Sequence, residues 1–235
     1  MEDVFSSLST VNLIIAGKTA MPQWLHLEQA RKQLNDGVMI WDFATNSETP
    51  DVVVSSAGDY MTYECMAGID IIRQLCPELK YRFVNILTLT CQGFGCSSKL
   101  CLTDEELCNL YTKDREIHIN FHGYPEVMKQ LVYGSCLATR TDIRGYIEKG
   151  TTTTPFDMQI KNETSRYHVA ISMLQKAAKV NSAVSKQAPK LIKYLELIIL
   201  KHKSYIEDIG DDMPEVKNWV WGKSDDKIKF DNDNM

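Results

Sequence analysis

The sequence has no excess of basic residues. Its 235 residues include 26 Lys and Arg against 31 Asp and Glu, which gives a net charge of -5 at pH 7. Proteins that hold nucleic acid phosphates concentrate Lys and Arg on one surface, and the basic residues here form no block or arm. A nucleic acid is therefore not an expected partner.

Long apolar runs are also missing. The run from Val11 to Ala16 is too short to span a bilayer, which takes about 20 apolar residues. The chain begins Met1-Glu2-Asp3, with two acidic residues where a secretory signal peptide has basic ones. We therefore expect a cytoplasmic protein with no membrane partner.

The seven cysteines include no C-x-x-C pair. Cys91, Cys96, Cys101 and Cys108 fall within 18 residues, and no histidine lies among them. Structural zinc sites usually bring their ligands in close pairs, so we predict no metal site and interpret these cysteines as small apolar residues of a loop and a helix. The odd count, without a secretory signal, indicates reduced thiols.

The apolar content is sufficient for a full core. The chain is 44% hydrophobic and 24% charged, which suits one large domain or one domain with appendages. From Ser224 onward the sequence is rich in Asp, Asn and Lys and has little to bury. We predict an interdomain lead at 1–10, a domain at 11–222 and a disordered acidic tail at 223–235.

Strand patterns alternate with helix patterns along the domain. The strongest strand, at 51–56, is a continuous apolar run that indicates burial on both faces, as in a parallel sheet. Residues 51–87 predict a strand–helix–strand unit with parallel strands. Strands are predicted at 11–16, 38–43, 51–56, 81–87, 116–121 and 142–147, and helices at 27–34, 61–75, 103–111, 125–133, 164–180 and 188–205.

Lys18 and two histidines are candidate polar groups. Lys18 follows the predicted strand at 11–16, at the end of a strand where open α/β sheets bind ligands; it is either a phosphate ligand or a solvated loop lysine. His118 and His122 have the same strand parity. They could share a face as a metal or acid–base site, or they could serve in packing or as a hydrogen-bonded cap.

A hydroxyl-rich junction runs from Gly150 to Met158. Four threonines stand between a glycine and Pro155, and Pro155 cannot continue a helix because it lacks an amide hydrogen. The junction follows a predicted edge strand at 142–147. Its hydroxyls could meet another domain or an anion, or they could be ordinary turn residues.

Seven segments of the chain together resemble a known family. They are NLIIAGK at 12–18, PDVVVSSAGD at 50–59, FHGYP at 121–125, RGY at 144–146, GTTTTPFDM at 150–158, RYH at 166–168 and DMPEVKNWVW at 212–221. Their order resembles the C-terminal domain of xylulose-5-phosphate/fructose-6-phosphate phosphoketolase. The resemblance runs from about residue 10 to residue 222 and implies a three-layer α/β/α fold around a mostly parallel sheet, as in the transketolase C-terminal domain.

The resemblance implies an aldehyde-lyase of carbohydrate metabolism. Such enzymes use thiamine diphosphate and Mg to cleave xylulose 5-phosphate or fructose 6-phosphate with phosphate, giving acetyl phosphate, an aldose phosphate and water. Their cofactor and catalytic histidines belong to two other domains, and this sequence contains no Gly-Asp-Gly turn. We therefore expect no catalytic residue and no bound cofactor in this chain alone.

The resemblance also assigns candidate residues. It places Lys18 beside the substrate phosphate. Its matching segments suggest a seam with the thiamine-diphosphate-binding domains, in cis or in a separate chain, whose candidates are His122, Tyr124, Arg144, Tyr146, Thr151, Thr152, Thr153 and Thr154.

The sequence departs from the family pattern in three places. These are the stretch from Cys91 to Cys101, the stretch from Cys136 to Thr141, and Ser165. The resemblance makes them contact-making loops. Their divergence indicates either relaxed constraint or a different partner surface.

Three functions fit these observations. The chain is a fragment or split piece of a phosphoketolase that acts only when docked onto the cofactor-binding domains. Alternatively, it is a stand-alone interaction or regulatory module that kept the fold and lost the chemistry. The third is a small phosphate-ester or nucleotide binder that uses Lys18, Arg144 and the threonine junction.

Overall fold

The computed structural model describes residues 19–89, 102–150 and 152–223. Several sequence predictions lie outside the described residues. They are the interdomain lead at 1–10, the strand at 11–16, Lys18, Thr151, the cysteines at 91, 96 and 101, and the tail from 224 to 235.

Five strands form one sheet in the described chain. They are β1 (Val38–Ile40), β2 (Val52–Ala57), β3 (Tyr81–Ile86), β4 (Ile117–Phe121) and β5 (Thr141–Gly145). Their order is β1-β3-β2-β4-β5. The pairs β2–β3, β2–β4 and β4–β5 are parallel, and β1 runs antiparallel to β3. The predicted strand–helix–strand unit and the predicted edge strand, now β5, are confirmed.

The helices surround this sheet. They are α1 (Leu27–Asp36), α2 (Asp59–Leu75), α3 (Asp104–Tyr111), α4 (Pro125–Val132), α5 (Pro155–Lys161), α6 (Arg166–Ala177), α7 (Ser182–Ile209) and α8 (Pro214–Lys217). Thr103 caps α3 as the sequence predicts: its hydroxyl accepts the amide of Glu106 at 3.2 Å, and the Glu106 carboxylate accepts the amide of Thr103.

The sheet separates two apolar clusters, which gives the three layers. All six residues of β2 are buried. Val52 and Val54 pack with α2, α6 and α7, whereas Val53 points to the opposite face and packs with α3 and α4. Successive strand residues face opposite sides, so a run that is apolar throughout needs helices on both. The predicted α/β/α architecture is confirmed.

The predicted start of the last long helix at Ala188, next to Pro189, is wrong. Helix α7 already begins at Ser182, because the Asn181 side chain accepts the amides of Ala183 and Val184. Pro189 removes one backbone donor, but the buried side chains of Ala188 and Leu191 on either side of it keep the helix packed on the core. Tertiary packing here outweighs the local preference of proline.

The threonine junction is shorter than predicted. Its last four residues belong to α5, which begins at Pro155 and was not predicted as a helix. Proline suits the first helical position because its missing amide hydrogen would be unpaired there in any case. Thr154 is the N-cap, with its hydroxyl accepting the amide of Asp157 at 3.1 Å.

The predicted strand at 38–43 is also shorter than expected. Strand β1 ends at Ile40, and a 3-10 turn spans Asp42–Ala44. Trp41, between them, buries its ring and donates its indole N–H to Gln33 at 3.0 Å. The aromatic side chain is anchored in the core at the point where the chain leaves the sheet.

Helix α2 is joined to α6 by a buried ion pair. Arg166 and Glu64 have side chains that are 4% and 1% exposed. The Glu64 carboxylate accepts the backbone amide of Arg166 at 2.7 Å, its Nε at 3.1 Å and its Nη2 at 2.8 Å. Burial lowers the pKa of the Arg166 guanidinium, but the Glu64 carboxylate raises it by more, so the pKa of Arg166 is raised overall. The Arg166 guanidinium therefore keeps its charge and is hydrogen-bonded to its partner.

The same two helices approach closely at Gly68. A Cβ atom there would lie 2.8 Å from the Cβ of Val169 and 2.9 Å from the carbonyl oxygen of Arg166. No side chain fits in this space without moving α6. Glycine at 68 is thus a packing requirement.

We expect Gly68→Ala to destabilise the fold by about 2 kcal/mol, because overpacking at a helix crossing displaces one helix from the other. Urea unfolding measures the loss. Gly134→Ala is the control, since nothing lies within 4 Å of a Cβ at that position. Equal effects of the two substitutions would contradict the close-packing argument.

We expect Arg166→Met to cost about 3–5 kcal/mol, because it leaves the Glu64 carboxylate buried without a partner. The double variant Glu64→Leu with Arg166→Met should regain most of this loss, since no charge is then buried. Urea midpoints of the three proteins test the expectation. A double variant as unstable as the single one would show that packing, and not the charge, carries the effect.

Candidate functional site at the carboxyl edge of the sheet

The three neighbouring parallel strands β2, β4 and β5 end at the same edge of the sheet. Open α/β sheets bind ligands at this edge. We call the segments 57–60, 121–125 and 144–148 the carboxyl edge. They contain four of the predicted seam candidates, His122, Tyr124, Arg144 and Tyr146.

Glycines allow the segments of the carboxyl edge to meet. Gly58 has a φ of 102°, and a Cβ atom there would lie 2.4 Å from the Cβ of His122. A Cβ on Gly145 would lie 2.5 Å from the carbonyl oxygen of Gly123. The FHGYP and RGY segments are therefore held in direct contact, and the amide of Tyr146 donates to Gly123 at 3.0 Å.

His122 is the centre of the carboxyl edge. Its Nδ1 lies 3.1 Å from the Asp59 carboxylate. Its ring lies edge-on to the rings of Tyr60 and Tyr146, with centroids 6.3 and 6.0 Å away. The side chain is 41% exposed, so a partner can reach it.

Tyr124 is the most exposed of the four. It is 52% exposed, and its hydroxyl donates to Glu148 at 3.0 Å. This hydrogen bond to a carboxylate favours the neutral phenol and raises the pKa of Tyr124. The ring of Tyr124 is thus exposed at the surface, while its hydroxyl is already hydrogen-bonded to Glu148.

Arg144 lies between two carboxylates. Its Nε is 3.3 Å from Asp142, and its Nη1 pairs with Glu163. The side chain is 40% exposed. The two partners balance its charge, which disfavours a role for Arg144 as a free anion ligand and favours one in contacts with polar protein surface.

His118 does not belong to the carboxyl edge. It is buried on the α6 side of β4, where Nε2 lies 3.0 Å from the Asn120 side chain and Nδ1 lies 3.7 Å from Asp142. Burial lowers the pKa of His118. The neighbouring His118 ring, together with Lys176 at 3.2 Å, lowers the pKa of Asp142. This is a packing network, the second of the two interpretations open for the histidines.

Two of the described threonines of the junction, Thr153 and Thr154, hydrogen-bond within the chain. Thr153 donates to Asp157 at 2.6 Å, and Thr154 donates to Asp212, which also lies 3.2 Å from Nε2 of His202. Thr152 is exposed. Arg144 takes part in none of these hydrogen bonds, so the described contacts do not bring it together with the threonines as a phosphate binder would require.

An aromatic cavity adjoins the carboxyl edge at Tyr60. Its volume is about 920 Å³, and its wall combines the Arg166–Glu64 pair with aromatic rings, among them Trp24, Tyr63, Phe156, Trp219 and Trp221. The Arg166 guanidinium lies 5.1 to 5.5 Å from the ring centroids of Phe156, Tyr63 and Trp219. Trp219 and Trp221 also pack against the apolar core of the domain.

Sequence reasoning did not identify Glu64 or Asp212 as residues that join distant segments of the chain. Glu64 stands between the buried residues Met61 and Met66 of α2. An acid on the apolar face of a helix is a signal that it has a buried partner. Asp212 has no such signal, because its partners Thr154 and His202 come from distant parts of the chain.

The described residues do not form a site for thiamine diphosphate and Mg. Among residues 19–89, 102–150 and 152–223, no group of three or more His, Cys, Asp or Glu side chains could hold a metal ion. The ionic groups of the aromatic cavity are Arg166 and Glu64, paired with each other, together with Asp212 and Lys217 nearer the surface. Such a lining does not fit a diphosphate–metal complex.

A membrane span is also not found in the part of the chain that is described. None of its helices combines the length and the apolar character needed to cross a bilayer.

Solved structures give weak likenesses. A split gene transketolase, described as an inactive beta4 tetramer, is 11% identical with a TM-score of 0.44, covering 60% of this chain and 42% of that one. A transketolase from Leishmania mexicana is 11% identical with a TM-score of 0.41, covering 63% of this chain and 19% of that one. TM-scores this low support no inference about the site.

Sequence comparison gives a far stronger match. The probable phosphoketolase of Brucella abortus is 38% identical over 213 residues, and that of Chlorobaculum tepidum is 37% identical over 218 residues. These matches cover 90% and 92% of this chain but 26% and 27% of those proteins. The chain thus spans about a quarter of the length of these relatives. The family model described as XFP C-terminal domain matches residues 18–221, and the chain belongs to this family of phosphoketolase C-terminal domains.

Proposed function

We propose that the chain serves as the C-terminal domain of a phosphoketolase, a cytoplasmic aldehyde-lyase of carbohydrate metabolism. The complete enzyme would cleave xylulose 5-phosphate or fructose 6-phosphate with phosphate, giving acetyl phosphate and an aldose phosphate. The observation that carries this proposal is the family match over residues 18–221. The proposed domain extends over 11–222, with 1–10 as an interdomain lead and 223–235 as a disordered tail.

Thiamine diphosphate and Mg would be bound by the other domains of the enzyme. The Gly-Asp-Gly turn that carries the metal and diphosphate is absent from this sequence, and the described acidic and histidine side chains form no cluster suited to a metal. We therefore propose that the chain is not catalytic by itself. Its contribution is to complete the protein surface around a cofactor site that lies elsewhere.

The carboxyl edge is the proposed contact with the cofactor-binding domains, in cis or in a separate chain. It presents His122, Tyr124, Arg144 and Tyr146 on backbone segments that Gly58 and Gly145 hold in a fixed arrangement. Tyr and Arg are enriched where protein interfaces bind most strongly. The net charge of -5 favours a protein partner over nucleic acid.

The threonine junction and Lys18 complete the proposed contact. Thr152 is exposed, while Thr153 and Thr154 fix the start of α5 through Asp157 and Asp212. Thr151 belongs to the same proposed seam by sequence. Lys18, which immediately precedes the cavity-lining residue Thr19, is proposed to lie beside the substrate phosphate.

The chain should restore acetyl phosphate production to a phosphoketolase truncated before its C-terminal domain. Acetyl phosphate is measured from xylulose 5-phosphate and phosphate, with thiamine diphosphate and Mg present. The chain alone and the truncated enzyme alone are expected to be inactive. Activity of the chain by itself would contradict the absence of a cofactor site, and inactivity of the mixture would instead favour an interaction module with another partner.

Substitutions at the carboxyl edge should weaken this complementation selectively. Tyr124→Ala and Arg144→Ala are each expected to raise the concentration of chain needed for half-maximal activity about tenfold, because truncated interface anchors lose about this much affinity. Matched controls are Tyr133→Ala and Lys186→Ala. Both residues are exposed. Tyr133 follows the C-terminal end of α4, whereas Tyr124 precedes its start. Lys186 lies near the start of α7, where the Asn181 side chain hydrogen-bonds to Asp51, the residue before β2.

Thermal unfolding of each variant separates binding from folding. All four variants should keep the melting temperature of the unmodified chain within a few degrees, as expected for exposed side chains. If the controls weaken complementation as much as Tyr124→Ala and Arg144→Ala do, the carboxyl edge is not the contact.

A further inference from the structure

Two cysteines outside the carboxyl edge lie almost within bonding distance of each other. Cys108 is on α3, and Cys136 is in the connection from α4 to β5. Their Sγ atoms are 3.0 Å apart. A disulfide bond is about 2.05 Å long, so a shift of about 1 Å would bring the two sulfur atoms to bonding distance.

We propose that Cys108 and Cys136 form a reversible disulfide and so constitute a thiol modification site of this domain. The reactant would be a low-molecular-weight disulfide such as oxidised glutathione. The proposal does not depend on the proposed function, because it concerns two side chains of this chain alone.

Hydrogen bonds hold the two segments in register. The amide of Cys136 donates to the Asp104 side chain at 3.2 Å, and its thiol lies 3.6 Å from the Asp104 carbonyl oxygen. Asp104 is in the first turn of α3 and Cys108 is one turn further along. The start of α3 therefore positions Cys136 over the next turn of the same helix, so that bond formation requires side-chain rotation with little backbone movement.

Access distinguishes this pair from the other cysteines that the structure describes. Cys65 and Cys76 are buried, whereas Cys108 and Cys136 are only partly buried. A small disulfide can reach the pair from solvent but cannot reach the core thiols without unfolding. The proposed reaction is therefore specific to Cys108 and Cys136 within the described residues.

The reaction is a two-step exchange. One cysteine thiolate attacks a sulfur atom of oxidised glutathione and expels one glutathione thiolate, which leaves a mixed disulfide on the protein. The second cysteine thiolate then attacks the protein sulfur of that mixed disulfide and expels the other glutathione. Two protein thiols are oxidised, and one small disulfide is reduced to two thiols.

The surroundings of Cys136 disfavour its thiolate form at neutral pH. Burial and the neighbouring Cys108 thiol raise the pKa of Cys136 to about 11, Asp104 acting in the same direction and Arg140 against it. The thiolate is the reactive form. A mildly alkaline buffer therefore suits the experiment.

The bond would close a covalent loop around part of the proposed contact. Residues 108–136 include β4 and α4, and with them His122 and Tyr124. Oxidation would tie both ends of this segment together. The seam candidates would then be held in place by a crosslink as well as by packing.

Mass spectrometry of the full chain tests the proposal. The chain is treated with oxidised glutathione at about pH 8.5, alkylated with N-ethylmaleimide and digested with trypsin, which cleaves between the two cysteines at Lys113, Arg115 and Lys129. We expect a crosslinked pair of peptides containing Cys108 and Cys136. The triple-serine variant, Cys91→Ser with Cys96→Ser and Cys101→Ser, should give the same crosslink, and oxidation should raise its melting temperature by about 5 °C.

Single substitutions provide the controls. Cys136→Ser should accumulate a glutathione adduct on Cys108 that reducing agent removes, with no rise in melting temperature. Cys76→Ala should leave the crosslink unchanged. Full alkylation of both cysteines after oxidant treatment, in the unmodified chain as well as in the triple-serine variant, would overturn the proposal.

Discussion

A buried ion pair between Arg166 and Glu64 fixes how α6 lies against α2. Ionised groups this deep in a protein are tolerated only when their hydrogen bonds are satisfied, and Glu64 accepts three N–H groups of the same arginine. The geometry of these bonds permits one register between the two helices. Helix α2 follows β2 directly, and α6 leads into α7. The ion pair therefore sets the position of the whole helix layer on that side of the sheet.

The aromatic cavity depends on the same pair. Phe156, Tyr63 and Trp219 surround the Arg166 guanidinium, and the indole N–H of Trp219 donates to Asp70 at 3.0 Å. This hydrogen bond holds the residues that follow α8 against α2. The closeness of these residues to Tyr60 places this aromatic wall beside the carboxyl edge, so the two surfaces form one continuous region in which the charged groups are mostly paired. Such a region suits contact with another protein domain better than capture of a small anion.

The sheet and its connections follow from patterns that are local in sequence. The apolar run of β2 predicts burial on both faces, and the strand–helix–strand unit, the capped start of α3 and the edge position of β5 are found as expected. The errors occur where local preference competes with packing. Pro189 lies inside α7 because the residues around it are buried against the core, and Pro155 begins a helix because Thr154 supplies the cap.

Local sequence patterns predict the fold class, and FHGYP, RGY and their neighbouring segments indicate the family and the candidate residues of the carboxyl edge. They do not predict that Thr154 bonds to Asp212, that Arg144 pairs with Glu163, or that Cys108 meets Cys136. The two kinds of feature differ in range. Hydrophobic periodicity and helix caps act over a few residues, whereas these pairings join segments whose separation is set by how the helices pack on the sheet.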